Sequence, residues 1–289
     1  MSGRTRRGWL NGSKPARPPR RHGISRRPMR SAPNWPQRAS SSRTGRRAPH
    51  GRDGDNPGAE HLRSPRCEAA MSDTAAWAAP QAPVYWDKAC VHLAQGDRVM
   101  QRLIPQFGQA RLLSRGDAFT TLARSVVGQQ ISVKAAQSVW RRFAEAAGTP
   151  DGPLSPAGVL DMPVPELRGA GLSARKSEYL LDLARHFTEG RLHVDRWPAM
   201  DDEAIIGELV AIRGIGRWTA EMFLIFHLMR PDVLPLDDLG LLKGISLNYF
   251  SGESVTRAEA REVAAAWAPY RSVATWYLWR SLDPLPVDY

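Results

Sequence analysis

The stretch that most constrains this chain runs from Leu209 to Lys243, LVAIRGIGRWTAEMFLIFHLMRPDVLPLDDLGLLK. It opens at the end of an apolar-periodic helix, in which Ile205, Leu209 and Ile212 recur at i, i+4 and i+7. The pattern breaks at Arg213-Gly214-Ile215-Gly216. Two glycines one residue apart allow a tight hairpin and a close approach to another surface. A second apolar helix is predicted from Arg217 or Trp218 to about Met229. The stretch closes on Pro-Asp-Val-Leu-Pro-Leu-Asp-Asp-Leu-Gly, which sets two carboxylates beside a glycine.

A hairpin of this kind suits phosphate. Successive N–H groups at Gly214, Gly216 and the following helix start have no intrahelical partner and lie at the positive end of the helix dipole. Gly-x-Gly alone fits an ordinary corner between two helices better; the full string changes that balance.

Leu-x-x-Ile-x-Gly-Ile-Gly-Arg-Trp-Thr-Ala, followed by Pro-Asp and then by Pro-x-Asp-Asp-x-Gly, resembles the helix-hairpin-helix (HhH-GPD) DNA glycosylase superfamily. Within it the chain looks most like the alkylation-repair branch typified by DNA-3-methyladenine glycosylase II. The resemblance runs from about Val84 to Pro284 and is most specific between Ile205 and Lys243. It implies an all-α fold, two helical subdomains flanking a cleft. It also implies a monomer that binds double-stranded DNA containing alkylated bases, flips the damaged nucleotide and leaves an abasic site. The hairpin carbonyls of that family hold a monovalent cation that also meets a DNA phosphate. No other cofactor or metal is implied.

The chemistry then falls on a carboxylate. Cleavage of an N-glycosidic bond generates an oxocarbenium-like sugar, whose positive charge a nearby carboxylate stabilises. Asp237 and Asp238 are the candidates, and both also suit capping of the next helix. Alignment with the family's Asp-x-His/Gly pattern selects Asp238 as catalytic and leaves Asp237 to cap that helix or shape the loop. A cationic alkylpurine is held by electron-rich ring faces. The resemblance places Trp218 and Trp279 in that pocket, with Tyr270 and Met222 as further candidates, although any single Trp at helical spacing is more often core. The implied DNA contacts are Gly214, Ile215, Gly216, Arg217 and Thr219 at the hairpin, and Gln129 and Gln130 in Val127-Gly128-Gln129-Gln130-Ile131-Ser132. Gln130 matches the wedge that fills the gap left by a flipped base, where the best-known family type carries an apolar residue. From pattern alone that segment is a polar surface turn.

Residue types missing from the motifs also discriminate. Bifunctional relatives carry a Schiff-base lysine where this chain has Trp218, so a lyase step by that route is not expected. The iron–sulfur branch needs four C-terminal cysteines, and the two cysteines here are Cys67 and Cys90. Two alternatives stay open: a glycosylase for an oxidised or deaminated base, and a non-catalytic module using the hairpin as a phosphate anchor.

Charge is unevenly distributed over the 289 residues. Residues 1–70 hold 17 of the 40 Lys+Arg and 4 of the 29 Asp+Glu, leaving 23 and 25 for residues 71–289, a net of −2. DNA binding by the globular part therefore rests on a local patch and backbone N–H groups. Residues 1–75 read as a disordered basic tail, rich in Arg, Pro, Ser and Gly. It fits a DNA-binding arm, a targeting segment, or sequence upstream of a start at Met71, and the last is favoured. With two cysteines and no bilayer-length apolar run, a reducing, cytoplasmic setting at the bacterial nucleoid is expected.

From Val84 the pattern is helical throughout. Helices are predicted over Trp86 to Ala94, Arg98 to Phe107, Asp117 to Val127 and Val133 to Ala147. Short turns follow at Ser155 to Met162 and Pro165 to Arg168, then a helix over Ala174 to Glu189. Asp201 or Asp202 starts the first helix of the hairpin motif, which spans residues 203–243. Thr256 to Trp267 and Ser272 to Leu282 complete the series, with caps at Asp117, Ser132 and Ser173.

Overall fold

The structure, a computed structural model, describes residues 80–282. The tail and the alternative start at Met71 lie outside the described residues. Twelve α-helices follow one another among the described residues: α1 Trp86–Gly96, α2 Arg98–Leu103, α3 Ala118–Gly128, α4 Val133–Ala146, α5 Pro156–Asp161, α6 Val164–Gly169, α7 Ala174–Thr188, α8 Asp202–Val210, α9 Arg217–Phe226, α10 Leu239–Tyr249, α11 Arg257–Ala264 and α12 Arg271–Leu282. No described residue is in a strand, and no described helix is long and apolar enough to cross a membrane.

Local chemistry accounts for most boundaries. The carboxylate of Asp117 accepts from Thr120 N at 2.8 Å, Ser132 Oγ from Ala135 N at 3.3 Å and Ser173 Oγ from Lys176 N at 3.2 Å. Each satisfies a donor that the first helical turn leaves free. Thr256 and Glu259 form a reciprocal capping box at α11. α9 is shorter than its apolar pattern predicts, ending at Phe226 rather than near Met229. Pro231 disfavours helix at Arg230. The chain turns out early, with Leu228 N donating to Phe223 O at 3.2 Å and Arg230 N to Leu224 O at 2.9 Å.

The packing joins the two ends of the described chain. α3 to α7 pack among themselves, with α5 and α3 against α7, and the α8–α9 hairpin joins them through α3. α1 and α2 pack instead with α12, which lies along α10. Two groups of helices result, the second built from N-terminal and C-terminal segments, with one continuous apolar core running through both. The α9–α10 connection passes from the first group to the second and carries Asp237 and Asp238.

That connection is pinned. Arg271 Nε and Nη2 each donate to an Asp232 oxygen at 2.6 Å. Ser272 Oγ donates to Arg230 O at 2.6 Å and accepts from Val233 N at 2.9 Å. In the second group, Asp97 caps α2 through Val99 N at 2.7 Å and Met100 N at 3.0 Å. Its other oxygen accepts from Tyr249 Oη at 2.8 Å and Trp267 Nε1 at 3.1 Å. Burial pushes the Tyr249 hydroxyl well above its usual range, and the Asp97 charge adds to the shift.

Asp97→Ala removes a cap and takes the acceptor from the half-buried Tyr249 hydroxyl, while the buried Trp267 indole keeps only its 3.2 Å bond to Tyr249 Oη, so it should cost about 2–4 kcal/mol of unfolding free energy. Urea denaturation measures this, with Asp97→Asn losing less.

Candidate functional site

Asp238 is the N-cap of α10, and three N–H donors from three elements converge on its carboxylate. Oδ1 accepts from Leu241 N at 2.6 Å and from Trp279 Nε1 on α12 at 2.7 Å. Oδ2 accepts from Trp218 Nε1 on α9 at 2.9 Å. Oδ1 is thus saturated, while Oδ2 keeps about one lone-pair direction for a further partner. A negative charge at the start of α10 is also favoured by the helix dipole. The glycine of Asp-Leu-Gly has a steric role: a Cβ on Gly240 would sit 3.0 Å from Asp238 Oδ1 and 3.1 Å from Trp279 Cδ1. Gly240 thereby makes room for the indole to reach the carboxylate. Likewise a Cβ on Gly244 would lie 2.9 Å from Leu278 Cβ, so α12 can approach α10 closely.

The capping role expected of Asp237 belongs to Asp238. Asp237 points elsewhere and pairs with Arg257 Nη2 at 2.7 Å, at the start of α11. One residue thus both caps the helix and faces the tryptophans, so the capping and site readings of Asp238 do not compete.

The wall around the carboxylate is aromatic. Trp218 is 41% exposed. Met222 and Phe226 follow it at i+4 and i+8 on α9, both half-buried. The Phe226 ring stacks on the Trp279 indole, with centroids 5.7 Å apart and planes 10° from parallel. The Arg115 guanidinium carbon lies 4.2 Å from the Phe226 ring centroid. Trp218 and Trp279 therefore meet at Asp238, Phe226 lies against Trp279, and Met222 sits between Trp218 and Phe226 along the same stripe of α9. Phe226 was missed because it reads as one more residue in an apolar run, although its helical spacing from Trp218 is a usable signal.

Tyr270 is not brought to this wall. It precedes α12, is 9% exposed, stacks on Tyr85 at 6.1 Å and meets the His92 ring at 5.3 Å. The eight residue steps from Arg271 to Trp279 correspond to roughly 12 Å of helix rise. The aromatic crowding at this end of the chain thus separates into a site residue, Trp279, and core residues such as Tyr270 and Trp276, the latter edge-on to Trp86 at 5.1 Å.

The hairpin lies at the other end of α9. Gly214 has φ +87°, and a Cβ there would come within 2.2 Å of the Tyr179 ring, so the fold itself demands glycine. Gly216 has φ −94° and ψ 170°, and a Cβ there would meet nothing within 4 Å. The fold leaves that glycine free, and what its small size preserves is an open backbone face at the start of α9. Ile215 is 4% exposed and anchors the turn. Thr219 is 6% exposed, so it offers a first-turn N–H rather than an accessible hydroxyl.

The Arg217 side chain is exposed and held by carboxylates on either side. It makes a forked pair with Glu203 on α8 and donates through Nε to Glu221 Oε1 at 3.0 Å. The Glu203 hydrogen bond raises the guanidinium pKa further, while burial raises that of Glu221. This pairing staples α8 to α9 and fixes where the exposed guanidinium sits beside the start of α9.

Gln129 caps α3, and its Nε2 donates to the Gly214 carbonyl at 2.9 Å, bracing the Gln129–Gln130 loop against the hairpin. Gln130 is exposed, with φ +58°.

The HhH-GPD superfamily of base excision DNA repair proteins matches residues 123–269. The chain belongs to that superfamily. It is 33% identical over 198 residues to DNA-3-methyladenine glycosylase 1 of Schizosaccharomyces pombe, a match covering 67% of this chain and 86% of the relative. Among solved structures, a DNA-3-methyladenine glycosidase from Bacillus halodurans is 36% identical with a TM-score of 0.61, covering 66% of this chain and 87% of that one. The S. pombe 3-methyladenine DNA glycosylase Mag1 in complex with abasic DNA is 32% identical with a TM-score of 0.58, covering 70% and 98%. Other relatives are longer, and the chain spans 59% and 65% of two of them. The matched segment holds the whole hairpin and Asp238, while Trp279 comes from beyond it.

The two hairpin glycines should separate by substitution. Gly214→Ala should lower stability by about 2 kcal/mol or more, because it combines a left-handed φ with a collision against Tyr179. Gly216→Val, which meets no neighbour but replaces the N-cap of α9, should cost no more than about 1 kcal/mol yet weaken duplex binding in a fluorescence anisotropy titration.

Proposed function

We propose that this chain is a monofunctional DNA glycosylase of base excision repair, of the DNA-3-methyladenine glycosylase II type. It removes cationic alkylated purines such as 3-methyladenine and 7-methylguanine from duplex DNA. The observation that carries this reading is a carboxylate, Asp238, held by two indole N–H groups inside a partly exposed wall of Trp218, Met222, Phe226 and Trp279.

The open backbone at Gly216 and the first turn of α9 receives a DNA phosphate, and the Gln129–Gln130 loop enters the space left by the extruded nucleotide. Hairpin carbonyl oxygens, of which Gly214 O already serves Gln129, would suit a hard monovalent cation, and such an ion would add positive charge toward the phosphate. The flipped base meets electron-rich ring faces, which favour a positive ring over a neutral one. The C1′–N bond then breaks and its electron pair returns to the base, neutralising it, so no strong general acid is required. Positive charge passes to the sugar, where Asp238 stabilises it through the free direction on Oδ2. Water adds to C1′ and gives up a proton, leaving an abasic site. The protein acts as a monomer on the chromosomal DNA of the cell.

Base release from a methylated duplex tests this, comparing wild type with Asp238→Asn. Wild type should release 3-methyladenine or 7-methylguanine. The variant should be slower by about a hundredfold or more, as for loss of a principal electrostatic group, while still binding an abasic duplex. Robust release by Asp238→Asn would sink the mechanism. Binding without release by either protein would point to another lesion or to a phosphate-anchoring module, and a panel of oxidised and deaminated bases separates those two.

Trp218→Phe keeps the ring but removes the donor to Oδ2. It should slow release by roughly tenfold, in line with one hydrogen bond of about 1–1.5 kcal/mol, with little change in duplex affinity.

A further inference from the structure

The two loops assigned above to DNA are held by one face of a single helix, α7, which contributes nothing to the aromatic wall. Lys176 Nζ donates to Val127 O at 2.7 Å and to Gln129 O at 2.8 Å. These carbonyls lie at the C-terminal end of α3, where acceptors lack intrahelical donors and the dipole attracts a cation. Lys176 is half-buried, and burial lowers its pKa.

One turn further along α7, the Tyr179 ring lies directly beneath Gly214. Asp182 Oδ2 then accepts from Arg213 N at 2.8 Å, while Glu178 pairs with the Arg213 guanidinium at 3.1 Å. Residues 176, 179 and 182 recur at helical spacing along one side. The first grips the Gln129–Gln130 loop and the other two grip the hairpin, and Gln129 Nε2 to Gly214 O ties the loops to each other. The gripped loop has a conformation that needs support, because Gln130 is a non-glycine residue at φ +58°.

We infer that Lys176 is a positioning residue that fixes the Gln129–Gln130 loop in register with the hairpin, and that it serves extrusion of the damaged nucleotide rather than cleavage of its bond. The inference rests on the proposed glycosylase reading. A lysine that merely capped α3 would stabilise the fold without regard to how firmly the target base is stacked. A lysine that sets the wedge matters most when the base is well paired, since extrusion costs least at a mispair.

The full-length protein is compared as wild type, Lys176→Met and Lys176→Arg in single-turnover release of 7-methylguanine placed opposite cytosine or opposite thymine. Lys176→Met should slow release opposite cytosine by about 10- to 100-fold and opposite thymine by no more than about threefold, because the mispair has already paid part of the unstacking. Lys176→Arg should recover most of the loss. An unchanged rate opposite cytosine, or equal losses on both duplexes, overturns the inference.

A second readout does not depend on base release. 2-Aminopurine beside the lesion should brighten on saturation with wild type and much less with Lys176→Met. If wild type releases no base, the glycosylase reading fails and this fluorescence still decides the role of Lys176, with equal brightening overturning it. Lys176→Gln replaces Lys176→Met if the latter does not fold. Failure of both to fold makes the lysine a structural clamp and overturns the inference.

Discussion

The site depends on one convergence, three N–H donors on the Asp238 carboxylate. Each belongs to a different helix: the Trp218 indole to α9, the Leu241 backbone to α10 and the Trp279 indole to α12. A charged group ringed by aromatic residues is costly unless its acceptors are met. Misplacing any of the three helices would therefore leave lone pairs or indole donors unmet. Much of the surrounding structure serves that requirement. Gly240 clears the path of Trp279, Gly244 allows α12 to approach α10, and the Arg271–Asp232 pair with Ser272 pins the connection that delivers Asp238.

α9 links this convergence to the outer surface. Its N-terminus carries the open backbone of the hairpin, and one stripe along its length carries Trp218, Met222 and Phe226. The hairpin backbone and the aromatic wall are consequently held at a set separation by about 1.5 Å of rise per residue. The Arg217 pairs with Glu203 and Glu221 make α8 and α9 one unit. α7 plays the complementary part beneath the two outward loops, gripping both through Lys176, Tyr179 and Asp182. Rigid helices rather than mobile loops therefore set the spacing between the groups proposed to hold DNA and the group proposed to act on it.

Features governed by near neighbours in the chain were legible before any tertiary information. The caps at Asp117, Ser132 and Ser173, the hairpin at Gly214 and Gly216, and Asp238 as the carboxylate of interest follow from local hydrogen bonding, backbone sterics and a family pattern. Where distant segments meet, sequence reading was less secure. Tyr270 and Trp279 are both aromatic residues in a C-terminal apolar region. Only the direction of α12 sends Trp279 to Asp238 and leaves Tyr270 against Tyr85. Asp237 and Asp238 are adjacent and chemically alike, and the position of Arg257 separates their roles.

By itself the sequence determined a helical chain with a phosphate-suited hairpin and a carboxylate some twenty residues beyond it, since turn glycines, caps and apolar periodicity act over a few residues. Tertiary structure alone decided which aromatic rings surround that carboxylate, why Gly214 is required by Tyr179 while Gly216 is not, and how Lys176 reaches the end of α3. Those outcomes depend on long-range packing, in which side chains far apart in the chain compete for the same few ångströms of space and the same lone pairs.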